Sequence, residues 1–269
     1  MDYSNMTKII RHLSTALLMA LLVPMTACEA EPGDTAISTT VPEIAAPKLA
    51  DDAKAADSPP ANIEYEAGKH YQVLDKPVMT VDTKRIEVNE VFWYGCSHCF
   101  SFEPLLEEWA KTLPEDAVLV RTPANWHPNM ELHARAYYTA KALKVLDKVG
   151  QPIFEALIVK KKKLDKEKDI EAIFVKEGGV EPEKFRKTFS SFGVNSAVRQ
   201  ADSRQRAYQI TGTPEMIVNG KYRVSSGMGG GHKGMLAVVT HLIEKERAAL
   251  AEKATQDSSE AAETSSEVD

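Results

Sequence analysis

The sequence predicts an α/β fold whose core lies between about residues 63 and 250. The β-branched and aromatic residues of segment 86–94 are typical of a buried strand, and apolar residues at helical spacing follow it. Near the end of the core, Asn219-Gly220 separates two short apolar runs, which indicates a β-hairpin. Between these two features, apolar periodicity over 129–200 predicts mainly helix. Strands on either side of a helical stretch therefore favour the mixed α/β class.

The charge distribution argues against a nucleic-acid binder. The 269 residues include 33 Lys+Arg and 39 Asp+Glu, for a net charge of -6. Seven acids and two lysines fall in 29–62, and six acids and one lysine fall in 251–269. The acidity thus belongs to the flanks, and the core between them is only slightly basic. Proteins that bind nucleic acid usually carry a strong basic excess, so no nucleic-acid partner is expected.

The first 27 residues are typical of an export signal. Lys8 and Arg11 form a basic region, and an apolar run over 16–25 follows it. A run of about ten residues is shorter than the roughly 20 that a membrane-spanning helix needs. We therefore predict that 1–27 is a signal peptide and that the mature protein is exported to the periplasm or cell envelope.

Cys28 directly follows this signal in the segment Met25-Thr26-Ala27-Cys28. Small residues before a cysteine resemble the lipidation motif of bacterial lipoproteins, although Met25 stands where that motif usually has Leu. We expect lipid attached to Cys28 to anchor the protein to the membrane. The alternative is an ordinary signal cleaved after Ala27, with Cys28 incidental. The Pro-, Ala- and Asp-rich segment 28–62 is predicted to be a disordered linker, and 251–269 a disordered acidic tail.

The motif Cys96-Ser97-His98-Cys99 lies where the predicted strand passes into the predicted helix, just after Gly95. This position places Cys96 at the helix N-terminus, where free N–H groups and the helix dipole stabilise an anion. The thiolate is the nucleophile of thiol–disulfide exchange. We therefore assign Cys96 as the attacking thiol and Cys99, one turn later, as the resolving thiol. A protonated or polarised His98 would further favour the thiolate.

The same Cys-x-x-Cys pattern also occurs as half of a zinc site. A second such pair is missing and Cys28 lies far away in the sequence, so a site of four thiolates is impossible. A mixed site would need a distant histidine such as His127 or His133. Met228 and His232 could ligate a soft metal, but no partner motif accompanies them. No metal site is predicted.

Three segments together resemble the DsbA group of the thioredoxin superfamily. They are 88–104, which contains the cysteine pair, 210–222, which contains Thr-Pro and the hairpin, and 133–138. The resemblance implies a thioredoxin fold with an inserted α-helical domain. The implied bounds are a DsbA-like domain within 63–250, thioredoxin parts at about 70–124 and 201–250, and a helical insert at about 125–200.

The resemblance also implies roles for residues near the cysteines. Pro214 is expected to be cis and to face the motif, so that the backbone of Thr213 can pair with a bound substrate strand. Glu90 is expected to be a buried acid that relays a proton to Cys99; the alternative is a charged residue at a sheet edge. The redox-active Cys96–Cys99 disulfide then needs no separate cofactor.

The implied function is disulfide formation in unfolded exported proteins with free cysteines, with a DsbB-like membrane protein as reoxidant. Two departures keep a reductase or isomerase open. Ser97 stands where the group's best-known oxidants have Pro, and Thr213 stands where Val is common. His98 favours the oxidising alternative. A copper carrier using Cys96, Cys99 and a histidine is a third alternative, of another class.

Overall fold

The computed structural model describes residues 64–266, with side chains described from 64 to 256. The predicted signal peptide, the predicted lipidation site Cys28 and the linker up to residue 62 lie outside the described residues.

Five strands form one mixed sheet in the order β1-β5-β4-β2-β3. The central strand β2 runs parallel to β3 and antiparallel to β4. All seven residues of β2 are buried, as expected for a strand with neighbours on both edges and helices on its faces. The strands are β1 Gln72–Val73, β2 Ile86–Phe92, β3 Ala117–Pro123, β4 Glu215–Val218 and β5 Tyr222–Ser225.

The helices confirm the thioredoxin-like α/β fold with a helical insertion. Helix α1 follows β2, five helices α2–α6 lie in the chain between β3 and β4, and α7 and α8 follow β5. The last inserted helix runs on to Ala207, past the expected bound near 200. The helices are α1 Ser97–Ala110, α2 Pro128–Ala142, α3 Leu146–Ile158, α4 Glu167–Lys176, α5 Pro182–Phe189, α6 Phe192–Ala207, α7 Ser226–Gly229 and α8 His232–Ser266.

Two large apolar clusters hold the site from two sides. One joins the sheet to α1 and α8 and includes Val88, Phe102 and Met235. The other lies mainly in the inserted helices but also contains Phe92 and Cys99. Because Cys99 belongs to this second cluster, the cysteine motif is packed directly against the insert.

Helix α8 extends into the segment 251–269, which the sequence predicts to be a disordered tail. The helix continues to Ser266. The physical reason is composition: the segment from 235 to 266 contains no Gly or Pro and is rich in Ala and Glu, which are good helix formers. Within residues 64–266, no helix has both the length and the apolar character needed to cross a bilayer.

Candidate active site

Cys96 is the N-cap residue of α1, as predicted. Its backbone is extended, with φ -92 and ψ 117, and its own N–H donates to the carbonyl of Trp93 at 3.0 Å. The Cys99 N–H donates to the Cys96 sulfur across the first turn, at 3.4 Å. The sulfur therefore receives one of the N–H groups that a helix leaves without an internal partner.

The two thiols differ in exposure and acidity. Both are free in the structure; Cys96 is partly exposed and Cys99 is fully buried. Hydrogen bonding from the Cys99 thiol is the largest effect that lowers the pKa of Cys96, which falls to about 5 despite partial burial. The backbone N–H groups of Cys99 and His98 lower it further. Burial, first, and then the bond to Cys96 raise the pKa of Cys99 well above its usual range. Cys96 is thus the nucleophile that the geometry favours.

The loop before β4 forms the second wall of the site. The Thr213–Pro214 peptide bond is cis, as the resemblance implied. The Cys96 thiol donates to the carbonyl oxygen of Thr213 at 3.3 Å, across 117 residues of sequence. The Thr213 side chain also hydrogen-bonds Cys96 and lowers the pKa of its thiol. Thr213 and Pro214 therefore lie beside the cysteine pair.

Glu90 lies on the central strand and is fully buried, so the sheet-edge alternative is wrong. Its Oε2 accepts from Arg121 Nε at 2.7 Å. Arg121 Nη1 also donates to Glu103 Oε1 on α1, at 2.7 Å. Burial raises the pKa of Glu90, partly offset by Arg121, and Glu90 in turn raises the pKa of Cys99. A buried acid with a raised pKa is therefore coupled electrostatically to the resolving thiol.

Sequence reasoning missed the partners of Glu90. Arg121 lies directly opposite it in the β2–β3 register, and Glu103 lies one and a half turns into α1. The available signal was an arginine within the apolar strand segment Ala-Val-Leu-Val-Arg, because a buried charge is nearly always paired. The pairing itself depends on a strand register that the sequence alone does not reveal.

The imidazole of His98 is exposed and points toward the start of α8. Its ring centroid lies 6.4 Å from that of His232, nearly perpendicular, and His232 packs on Phe102 at 4.9 Å. Burial and the neighbouring His98 lower the pKa of His232. Among residues 64–256, no group of three or more His, Cys, Asp or Glu side chains is arranged to hold a metal ion.

Comparison with known proteins identifies relatives of the same fold. Residues 106–242 match the model of the DSBA-like thioredoxin domain family. The chain is 41% identical over 186 residues to the thiol:disulfide interchange protein DsbA of Pseudomonas aeruginosa, covering 69% of this chain and 88% of that protein. It is 40% identical over 190 residues to DsbA of Azotobacter vinelandii, covering 71% and 87%.

Solved structures agree with this relationship. The crystal structure of P. aeruginosa DsbA superposes with a TM-score of 0.66 at 40% identity, covering 70% of this chain and 97% of that one. The oxidoreductase NmDsbA3 of Neisseria meningitidis superposes with a TM-score of 0.61 at 30% identity, covering 68% and 98%. With these relatives, and with a strand, an N-capping cysteine and a cis-proline in the arrangement described, the chain belongs to the DsbA family of thiol:disulfide interchange proteins and is an oxidoreductase.

Proposed function

We propose that this protein forms disulfide bonds in unfolded exported proteins through the Cys96–Cys99 pair. A substrate thiolate attacks the Cys96 sulfur of the disulfide, and Cys99 leaves as a thiolate. A second substrate thiolate then attacks the substrate sulfur of the mixed disulfide and releases Cys96. The substrate loses two electrons, and the enzyme gains them as a dithiol. A DsbB-like membrane protein, linked to quinone, then reoxidises the pair.

The hydrogen bonding of the Cys96 sulfur at the start of α1 is the observation that carries this proposal. It lowers the pKa of the thiol to about 5, so Cys96 is mostly thiolate at neutral pH, and this stabilised anion exists only in the reduced enzyme. Stabilising the reduced form makes the disulfide a stronger oxidant. The raised pKa of Cys99 means that this leaving group needs a proton, and Glu90 is proposed to supply it.

Thr213 keeps a reductase or isomerase as the second candidate, because it stands where the group's best-known oxidants commonly have Val and its side chain lowers the pKa of Cys96. The reduction potential of the Cys96–Cys99 pair distinguishes an oxidase from a reductase or isomerase. Strong oxidants of this family lie near about -120 mV and thioredoxin near about -270 mV. Equilibration with glutathione should give a potential above about -200 mV, and a value near that of thioredoxin would favour the reductase.

The catalytic assignment is tested by oxidising a reduced protein that has two cysteines. The Cys96→Ala and Cys99→Ala variants should both lose this activity, because neither can form the disulfide that accepts the two electrons of the substrate. Unchanged oxidation by Cys96→Ala would refute the assignment. The Ser97→Ala variant, changed between the cysteines, serves as the control and should remain active.

We also propose that the mature protein is anchored in the cell envelope by lipid at Cys28. The support is the sequence motif alone, since Cys28 lies outside the described residues. Mass spectrometry of the mature N-terminus decides: diacylglycerol on Cys28 is expected, and an unmodified Cys28 would refute lipidation.

A further inference from the structure

Glu215 is a buried acid immediately after the cis-proline, and the reaction scheme above does not use it. Its side chain is 5% exposed. It is the first residue of β4 and pairs with Val91 on one side and Ser225 on the other. The backbone of Glu215 is therefore held by strands on both edges, a fixed point beside the loop that bears Thr213.

The Glu215 carboxylate contacts the loop rather than the solvent. Oε1 accepts from the Thr211 hydroxyl at 3.0 Å, and hydrogen bonds from the backbone of Thr211 and Gly212 act on the same carboxylate. A Cβ at Gly212 would lie 3.9 Å from Oε1, in ordinary van der Waals contact with the carboxylate. Within the described residues, the backbone of 211–213 makes no hydrogen bond to another backbone group. The position of this loop therefore depends on side chains.

Arg223 on β5 completes the arrangement. Its Nε lies 3.7 Å from Glu215 Oε2, and its Nη1 donates to the carbonyl of Gln209, where the chain leaves α6. Arg223 thus contacts the start of the segment that leads to the cis-proline, and Glu215 contacts Thr211 nearer its end. Burying a carboxylate is costly unless it is paired and hydrogen-bonded, so this arrangement calls for a physical role.

We propose that Glu215 is a positioning residue for thiol–disulfide exchange: its carboxylate holds Thr211 and Gly212 so that Thr213 keeps its contacts with the sulfur of Cys96. The inference deepens the proposed function and rests on it only for the activity readout. Glu215 touches neither cysteine, and it acts through the loop.

The sign of one measurement separates this role from a plain charge effect. If the loop shifts, Cys96 loses the hydrogen bond from the Thr213 side chain that lowers the pKa of its thiol, and that pKa rises. If Glu215 acted only as a nearby negative charge, its removal would lower that pKa. The pKa of Cys96 follows from the thiolate absorbance at 240 nm of the reduced protein, with no substrate present.

Three variants and a matched control make the test. In Glu215→Ala we expect the pKa of Cys96 to rise by about one unit and kcat/KM for a dithiol peptide to fall about tenfold. Glu215→Gln keeps an oxygen that accepts from the Thr211 hydroxyl, so the pKa of Cys96 and kcat/KM should both lie close to their wild-type values. Thr211→Val, nearly equal in size, should raise the pKa of Cys96 and lower kcat/KM, as Glu215→Ala does. The control is Glu246→Ala.

Glu246 is a suitable control because it is also buried and also binds the hairpin, at the end away from the cysteines. Its carboxylate accepts from Lys221 at 2.6 Å and from Asn219 at 2.5 Å. Glu246→Ala should lower the melting temperature but leave the pKa of Cys96 and kcat/KM unchanged.

The proposal is overturned if Glu215→Ala, or Thr211→Val should the alanine variant not fold, leaves the pKa of Cys96 at its wild-type value or lowers it. A wild-type protein that oxidises no peptide would instead overturn the proposed function. The absorbance titration would still decide the role of Glu215.

Discussion

Cys96 and Cys99 are three residues apart in one motif, yet their surroundings give them opposite properties. Cys96 lies at the end of a helix and receives hydrogen bonds from it, whereas Cys99 lies one turn inside and is packed among apolar side chains. Hydrogen bonds to an anion favour ionisation, and burial disfavours it. One thiol is therefore prepared to attack and the other to stay protonated.

This asymmetry predicts how the reduced protein reacts with an alkylating agent. Labelling by iodoacetamide should be half-maximal near pH 5 and should occur at Cys96 alone, because only the thiolate reacts. Peptide mapping after labelling at pH 4 to 8 measures both properties. The Cys96→Ala variant is the control and should take up almost no label below pH 8. Labelling that first appears near pH 8.5, the value of an ordinary thiol, would contradict the prediction.

Arg121 joins three elements of the site, since it lies on β3 and binds Glu90 on β2 and Glu103 on α1. Its guanidinium also lies over the ring of Phe92, 5.1 Å from the centroid. Both carboxylates are buried, so neither has enough water to replace the arginine. The orientation of α1 against the sheet, and with it the placement of Cys96, depends on this pair of ion pairs.

Replacing Arg121 by Met should therefore destabilise the protein by about 3 kcal/mol at pH 7, because it leaves two buried carboxylates without a partner. The loss should be smaller near pH 5, where a carboxyl with a raised pKa can take up a proton. Urea unfolding of the oxidised protein at both pH values measures the change.

The surface offers a matched control for this substitution. Arg247 also pairs with two carboxylates, Asp116 and Glu244, but in an exposed position. Arg247→Met should cost less than about 1 kcal/mol, since exposed ion pairs contribute little. If Arg121→Met and Arg247→Met lowered the free energy of unfolding equally, burial of the Glu90 network would add nothing to its contribution to stability.

The hairpin shows how an element can be recognised from its turn. Asn219 and Gly220 both have positive φ, 49 and 64, which these two residue types adopt most readily. Gly220 is needed for a second reason, because a Cβ there would lie 1.9 Å from the Val78 carbonyl oxygen. The sequence signal was therefore reliable, although the close approach of Val78 was not visible in it.

At the scale of the whole molecule, His133 connects the sheet to the inserted helices. Trp93, at the end of β2, donates from Nε1 to His133 Nδ1 at 3.0 Å, and His133 Nε2 lies 3.1 Å from the carbonyl oxygen of Leu164. Together these bonds fit a neutral ring with its proton on Nε2. Burial lowers the pKa of His133, in keeping with a neutral form.

His133 should make stability fall as the medium becomes acidic. An unfolded histidine takes up a proton near pH 6.5, whereas the folded one does so only at lower pH. Between these values the unfolded state binds more protons, so the free energy of unfolding decreases as the pH falls. The stabilisation from His133 is complete above pH 6.5 and is lost as the pH drops toward the folded pKa.

His133→Phe keeps a ring beside Trp93 but removes both hydrogen bonds and the titration. It should be less stable than the wild type by about 1–3 kcal/mol at pH 8, and the difference should narrow at pH 5. The same substitution at the exposed His127 is the control and should leave the pH dependence unchanged. If the difference in free energy of unfolding between the wild type and His133→Phe stayed constant from pH 8 to pH 5, titration of His133 would not contribute to the pH dependence of stability.

The sequence by itself determined the local chemistry of the site. A Cys-x-x-Cys after a buried strand and before an apolar helix places Cys96 at an N-cap through short-range rules alone, and Asn219-Gly220 specifies a turn. Thr213-Pro214 and Glu90 were assigned roles only by resemblance to a family. Their positions beside the motif depend on contacts over long distances in the sequence, which local patterns do not encode.

Only the tertiary structure decided which distant residues meet. The β2–β3 register places Arg121 opposite Glu90, and the antiparallel return of β4 brings Thr213 to the sulfur of Cys96, 117 residues away. The same strand fixes Glu215 beneath the loop that carries Thr213. Such pairings arise from the packing of whole elements, in which buried charges must find partners. The motif thus identified the reacting sulfurs, and the fold decided which groups control them.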